Sequence, residues 1–300
     1  MGRCSRGRCP GRCRPPFVAV TPGTSIRAAG APSPALTALL ASLWTHRHLL
    51  AKLVLRDLAS RYRGSFIGLL WSLVLPCAML GIYLFVFGHV FTPVRAVGQE
   101  GVNAGFALSL FSGLLVHGLL AESITRSPMA VLTQPSYVKK VVFPLELLPF
   151  TTVGSALVQF LIGSMVLIAA LAVWQGIPST ALLWPLAWLP LVALAAGVAL
   201  ILSALTVYLR DLAQLTGFVA TVLLFLSPVF YPLASAPAAI QGWLMLNPLT
   251  VPLEGARDLL IHGRVPSLLP WAIHAAGCLL ALWAGWWVFQ RTRRGFADVI

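Results

Sequence analysis

The sequence predicts an all-α, polytopic membrane protein with six transmembrane helices, an N-terminal interfacial amphipathic helix and a broken extracytoplasmic helical hairpin between spans five and six. Three observations predict it. The 300 residues are 58% hydrophobic and only 10% charged, whereas soluble domains carry roughly 25% charged residues. The uncharged stretches run past the length of about 20 residues that crosses roughly 30 Å of hydrocarbon. The 21 Lys and Arg against 8 Asp and Glu, a formal +13, gather between those stretches instead of interleaving with polar surface. That arrangement encodes orientation, not nucleic-acid binding.

Residues 1–33 are rich in Arg, Gly, Pro and Cys and have no apolar run longer than Phe17-Val18-Ala19-Val20. They read as a disordered tail without the apolar core of a signal peptide. Cys4, Cys9 and Cys13 form no C-x-x-C pair and have no fourth ligand at a usual spacing, so no metal site is expected there. Ser33-Pro34 then offers an N-cap followed by proline at the first helical position. Across 34–65, Leu36, Leu39, Leu40, Leu43, Leu50, Leu53, Val54 and Leu58 share one stripe, and Thr45, His48, Lys52, Arg56, Ser60 and Arg63 lie opposite. This is an amphipathic helix with a basic polar face, suited to the cytoplasmic membrane interface.

The six-span domain occupies 66–294. The first span is expected at 66–91 and the second at 101–121. The uncharged run from Leu147 to Leu209 is long enough for two crossings, and Gln175-Gly176-Ile177-Pro178 divides it into spans at 150–174 and 181–207. The fifth is expected at 212–233, ending in Ser227-Pro228-Val229-Phe230-Tyr231-Pro232. The sixth covers 267–289, with Trp271 near one end and Trp283, Trp286 and Trp287 near the other, where indoles favour the headgroup level. A cytoplasmic tail, 295–300, follows.

The hydropathy of 234–253 would pass for a seventh span, but Pro237, Gly242, Asn247-Pro248 and Pro252 leave no uninterrupted helix, and lipid would strand the freed backbone groups. It reads as part of a hairpin, 234–263, folded back at the outer face. Six spans with both termini cytoplasmic place eighteen of the 21 basic residues inside and only Arg95, Arg257 and Arg264 outside. A seventh span would move Arg291, Arg293 and Arg294 outside, against the positive-inside rule.

Between spans two and three, 122–146 is the one cytoplasmic loop of real length. Ser127-Pro128 starts a short helix, Pro135 ends it, and Lys139-Lys140 and Pro144 precede re-entry. No G-x-x-x-x-G-K-[ST] phosphate loop occurs, so energy from ATP by that route must come through another subunit. H-E-x-x-H and G-x-S-x-G are also missing, and no catalytic residue is assigned. His89, His117 and His274 stand alone on apolar stretches and read as satisfied or interfacial imidazoles; His46 and His48 beside Arg47 carry little metal-binding specificity. Glu122, Arg210 and Asp211 lie at span ends, which disfavours ion coupling. Cys77 and Cys278 fall inside spans as small apolar residues, and no disulfide is expected.

The motifs resemble one family. Arg56-Asp57 followed by Arg61-Tyr62-Arg63-Gly64-Ser65, with Gly68 and Trp71 beyond, is similar to the approach to the first span of type 2 ATP-binding-cassette permeases, in the group exporting lipid-linked polysaccharides such as O-antigen, capsule or teichoic acid. Tyr137-Val138-Lys139-Lys140-Val141-Val142-Phe143-Pro144, with Glu146 and Leu148-Pro149, resembles the stretch before that family's third span. Asp211, Ser227 to Pro232, Asn247-Pro248-Leu249-Thr250, and Glu254 with Arg257-Asp258 resemble its fifth span and outer hairpin. The likeness covers about 49–294.

The resemblance implies the permease subunit of an ATP-driven exporter moving lipid-linked polysaccharide across the bacterial cytoplasmic (inner) membrane, not itself an enzyme. It implies a second copy of the chain, two copies of a separate ATPase bringing ATP and Mg, membrane lipid and a lipid-linked glycan as partners, with no cofactor on this chain. Ser127, Pro128, Met129, Leu132 and Gln134 would form the coupling helix on the ATPase. Arg56, Asp57, Arg61, Arg63, Lys139, Lys140 and Glu146 would meet lipid headgroups or the interface, and Trp71, Tyr83 and Phe87 would offer stacking surfaces along a channel. Pro228, Tyr231, Pro232, Asn247, Pro248, Glu254, Arg257 and Asp258 would build the gate hairpin. The chain departs where Val116-His117 replaces a frequent Pro-Trp pair and where Leu145 replaces a frequent basic residue. One alternative is a same-architecture exporter of a small drug, siderophore or lipo-oligosaccharide. Another is a membrane-embedded glycosyl- or acyltransferase with Glu254 and Asp258 as acid/base pair, although their i,i+4 spacing around Arg257 reads better as a salt-bridged helix.

Overall fold

The computed structural model describes residues 36–87, 100–138 and 143–299. The N-terminal tail with its cysteines, Ser33-Pro34, His89, Lys139 and Lys140 lie outside the described residues. Helix α1 (Leu36–Thr45) and helix α2 (Arg47–Arg61) form the amphipathic stretch, interrupted at His46, whose Nδ1 lies 2.9 Å from the Ser42 carbonyl. Leu39, Leu53, Val54 and Leu58 are buried, while Thr45, His48, Lys52, Arg56, Ser60 and Arg63 are exposed. Leu40 and Leu55 are also exposed.

Gly64 and Gly68 adopt positive φ of 87° and 59°, which glycine does without a Cβ penalty. They turn the chain from α2 into α3 (Trp71–Phe85), and Trp71 Nε1 donates to Ser65 Oγ at 2.9 Å across the turn. The motif noted in the sequence is therefore a corner between the amphipathic helix and the first apolar helix.

Then come α4 (Glu100–Arg126), the one-turn helices α5 (Met129–Leu132) and α6 (Pro135–Val138), α7 (Leu147–Trp174) and α8 (Trp184–Tyr208). After them follow α9 (Leu212–Leu226), α10 (Ala238–Leu246), α11 (Thr250–Arg257), α12 (Leu268–Thr292) and α13 (Phe296–Val299). The described residues contain no strand. Among the described residues, five stretches are long and apolar enough to cross a membrane: Gly68–Phe85, Gly105–Arg126, Leu147–Trp174, Ser179–Tyr208 and Leu268–Gly295.

The expected fifth span, α9, has 15 residues and is about 22 Å long, shorter than the five crossing-length helices. The expected stretch 212–233 is helical only through Leu226 because Ser227 precedes Pro228. Ser227 takes φ −95° and ψ 149°, the extended conformation a following proline imposes.

Two apolar cores hold the helices together. One lies among α3, α4, α7, α8 and α11 and includes Leu108, Phe111, Phe160, Leu191 and Leu253. The other joins Leu39 of α1, Val131 of α5, Leu200 of α8 and Trp286 and Phe289 of α12. Helix α4 is central, packing on α3, α7, α8, α9 and α11.

Candidate functional site

The Arg126 end of α4 carries a closed ring of charge. Glu122 and Arg126 stand one turn apart and face Asp57 and Arg61, one turn apart on α2. Arg126 Nη2 donates to both Asp57 oxygens at 2.9 Å, and its Nη1 reaches Glu122 Oε1 at 3.3 Å. Arg61 donates to Asp57 Oδ2 at 3.3 Å and also pairs with Glu122. Each partly exposed pair contributes less than about 1 kcal/mol, but a network fixes geometry that a lone pair does not. Asp57 and Arg61 are thus engaged within the chain. Arg126 was absent from the sequence-derived site; its signal was the matching i,i+4 spacing of 122/126 and 57/61.

Arg56 Nη1 donates to Tyr137 Oη at 2.7 Å, and the Tyr137 ring stacks on Phe143 with centroids 4.5 Å apart. Glu146 is only 6% exposed: it accepts from Ser42 Oγ at 2.8 Å and lies 3.7 Å from Arg293 Nη1. It ties the loop to α1 and to the end of α12. Arg63 is exposed. Arg56 and Ser60 of α2, Arg63 just after it, Arg126 of α4, Gln134 and Thr151 help line an open cavity of about 550 Å³. Three arginines against one aspartate on its wall make it attractive to anions.

The helix expected over Ser127 to Gln134 is shorter, a single turn at Met129–Leu132. Ser127 and Gln134 each precede a proline, which disfavours helical backbone before it. Met129 is exposed, whereas Val131 is 0% exposed and sits in the second core. Through Val131 the knob is fastened to α7 and α8, an anchor the sequence did not single out.

At the opposite end of the bundle the chain after α9 is caught by three side chains. Arg257 of α11 is only 4% exposed. Its Nη2 donates to the Val229 carbonyl at 2.7 Å and its Nη1 to the Tyr231 carbonyl at 3.1 Å and Glu254 Oε1 at 2.7 Å. Glu254 Oε1 also accepts the Leu233 N–H at 3.1 Å. Asn247 Nδ2 donates to Ser227 Oγ at 3.0 Å and to the Leu226 carbonyl at 3.3 Å. The Leu226, Val229 and Tyr231 carbonyls and the Leu233 N–H of the broken segment are thus paired with side chains, as backbone outside a helix requires when it is buried.

Pro228, Tyr231, Pro232, Asn247, Glu254 and Arg257 come together here, and Pro248 begins the turn into α11. Asp258 does not join the bridge. The Arg257 guanidinium is turned inward to the broken segment, and the Asp258 carbonyl instead accepts the Arg264 N–H at 2.8 Å. Burial pushes the Asp258 carboxyl above its ordinary range, Glu254 adds to this, and His262 and Arg264 oppose it.

Tyr83 lies 6.4 Å from Phe111 and Phe87 lies edge-on to Phe106 at 5.0 Å, so both rings face α4. His117 Nε2 is 3.0 Å from the Ala220 carbonyl, bridging α4 to α9 as a satisfied imidazole. Among the described residues no three His, Cys, Asp or Glu converge on a metal position.

The ABC-2 type transporter family matches the chain over residues 48–261. An O-antigen export system permease protein of Myxococcus xanthus is 29% identical over 265 residues, covering 87% of this chain and 99% of that protein. One from Klebsiella pneumoniae is 26% identical over 254 residues, 84% of this chain and 95% of that protein. A polysialic acid transport protein of Escherichia coli is 25% identical over 219 residues, 71% and 81% of the two chains.

Proposed function

The chain belongs to the ABC-2 type transporter family, and from that premise we propose that it is the permease of an ATP-driven exporter of lipid-linked polysaccharide. It works as a pair of identical chains with two copies of a separate ATPase in the bacterial inner membrane, both termini cytoplasmic. The observation that carries this reading is the set of relatives named for O-antigen export and polysialic acid transport, which cover 71 to 87% of this chain. ATP and Mg belong to the partner, since this chain has no phosphate loop.

The cytoplasmic end supports the reading. Exposed Met129 offers a grip to a soluble ATPase, and buried Val131 passes force to α7 and α8. Nucleotide-driven closure shifts a channel only by its differential affinity for two states, so such a knob has to be joined rigidly to the spans. Arg56 and Arg63, beside the anion-attracting cavity, meet the phosphate of the lipid carrier or acidic groups of the ATPase. Deleting the gene tests the substrate class. Loss of surface glycan with intracellular accumulation of its lipid-linked form is the expected result; an unchanged glycan profile overturns polysaccharide as the cargo.

A further inference from the structure

Resting on that reading, we propose that Arg257 is a positioning residue that clamps the outer hairpin and the broken end of α9 to α4, so that α4 carries motion from the ATPase side to the outer gate as one body. Three observations converge on it. Arg257 Nε donates to Ser109 Oγ of α4 at 3.0 Å, while its two remaining nitrogens hold the Val229 and Tyr231 carbonyls of the break and Glu254 of α11. One side chain thereby joins three elements that are distant in sequence.

One turn along α4, Gly113 repeats the contact in apolar form. A Cβ there would stand 3.3 Å from Leu253 Cδ2 of α11 and 3.4 Å from Val229 Cγ1 of the break. Residues four apart share a helix face, so a single face of α4 touches both halves of the gate. At its other end the same helix bears Glu122 and Arg126, bonded to α2, and leads directly into α5. From Ser109 to Arg126 the helix is continuous, about 26 Å of rod at 1.5 Å per residue.

The buried charge explains the choice of arginine. Only a planar fork with five donors reaches a hydroxyl, two carbonyls and a carboxylate at once. Displacing α4 relative to α11 would break the Nε bond to Ser109 and leave a buried N–H of a charged group without its acceptor, which favours the three elements moving together.

The test uses the full permease with its ATPase in proteoliposomes, on a cysteine-free background with Ser235→Cys as reporter in the exposed stretch after the break. A membrane-impermeant maleimide reads the accessibility of that cysteine with and without ATP and vanadate, and ATP hydrolysis is followed in parallel. ATP changes the labelling rate of the parent. Ser109→Ala cuts that change by about three- to tenfold, the range for removing one contact from a coupling path, while hydrolysis stays within about twofold. Arg257→Lys, which keeps the charge but loses the fork, behaves the same way. If Arg257→Lys fails to assemble, Ser109→Ala decides alone, because it leaves the other Arg257 bonds in place. A parental labelling response in Ser109→Ala overturns the clamp. A parent that hydrolyses ATP without any labelling change overturns the exporter reading beneath it.

Discussion

At the scale of single residues, the outer hairpin shows how burial sets the behaviour of charge. Arg257 is tolerated because each of its nitrogens has an acceptor; left unpaired, such a group would destabilise the fold by several kcal/mol. Its neighbour Asp258 has no comparable partner, and burial raises its carboxyl above the ordinary 3.8. A raised carboxyl binds its proton more tightly in the folded chain than in the unfolded one. Its contribution to stability is thus fully present below 3.8 and lost as pH rises through the folded value. Asp258→Asn stays uncharged, so thermal unfolding in detergent, scanned from about pH 4 to pH 7, should fall less with rising pH than in the parent. Parallel curves would refute the assignment. The sequence made Glu254, Arg257 and Asp258 visible as a group, but it gave no sign that Arg257 would reach Ser109, 148 residues away. A serine in an apolar helix looks like any other small residue.

At the scale of elements, the long apolar helices were legible because twenty apolar residues in a row admit few other readings, and the N-terminal amphipathic helices because their two faces differ in chemistry. The end of α9 was not legible from hydropathy, which does not distinguish helix from a broken apolar strand of chain, even though Pro228 and Pro232 marked the place. The pairing of α8 with α12 was legible only in principle. Ala193 with Gly197 and Ala281 with Gly285 each place small residues four apart, the pattern that lets membrane helices approach closely. A Cβ on Gly197 would lie 2.5 Å from the Ala281 carbonyl oxygen, and one on Gly285 would strike the Gly197 carbonyl. Gly197→Ala and Gly285→Ala should each destabilise the protein by about 1–3 kcal/mol, the usual cost of overpacking. Gly277→Ala, on the same helix but facing open space, serves as control and should lose nothing. Equal melting temperatures for Gly285→Ala and Gly277→Ala would show that the backbones are not in contact.

At the scale of the whole molecule, the proposed pairing of two chains turns on which apolar surface meets the second copy and which meets lipid. Exposure alone does not decide, because lipid tails are as apolar as leucine. Leu215, Phe218, Val222 and Phe225 form an exposed stripe along α9, and Leu75, Met79 and Ile82 form one along α3. Ile273 and Leu280 on α12 are exposed to a similar degree. The neighbours of each helix separate the two cases. Helices α3 and α9 both pack on α4, whereas α12 packs chiefly on α8. In the proposed pair of chains, a path between the copies has to pass the helix that joins the charge ring to the hairpin, so the α3 and α9 stripes are expected to face the partner and α12 to face lipid. On a cysteine-free background in native membranes, oxidation should cross-link Phe218→Cys or Phe225→Cys to a dimer-sized band and leave Ile273→Cys and Leu280→Cys monomeric. The opposite pattern would put the second copy against α12, beyond reach of α4, and with it would fall the reading of a translocation path between the two chains.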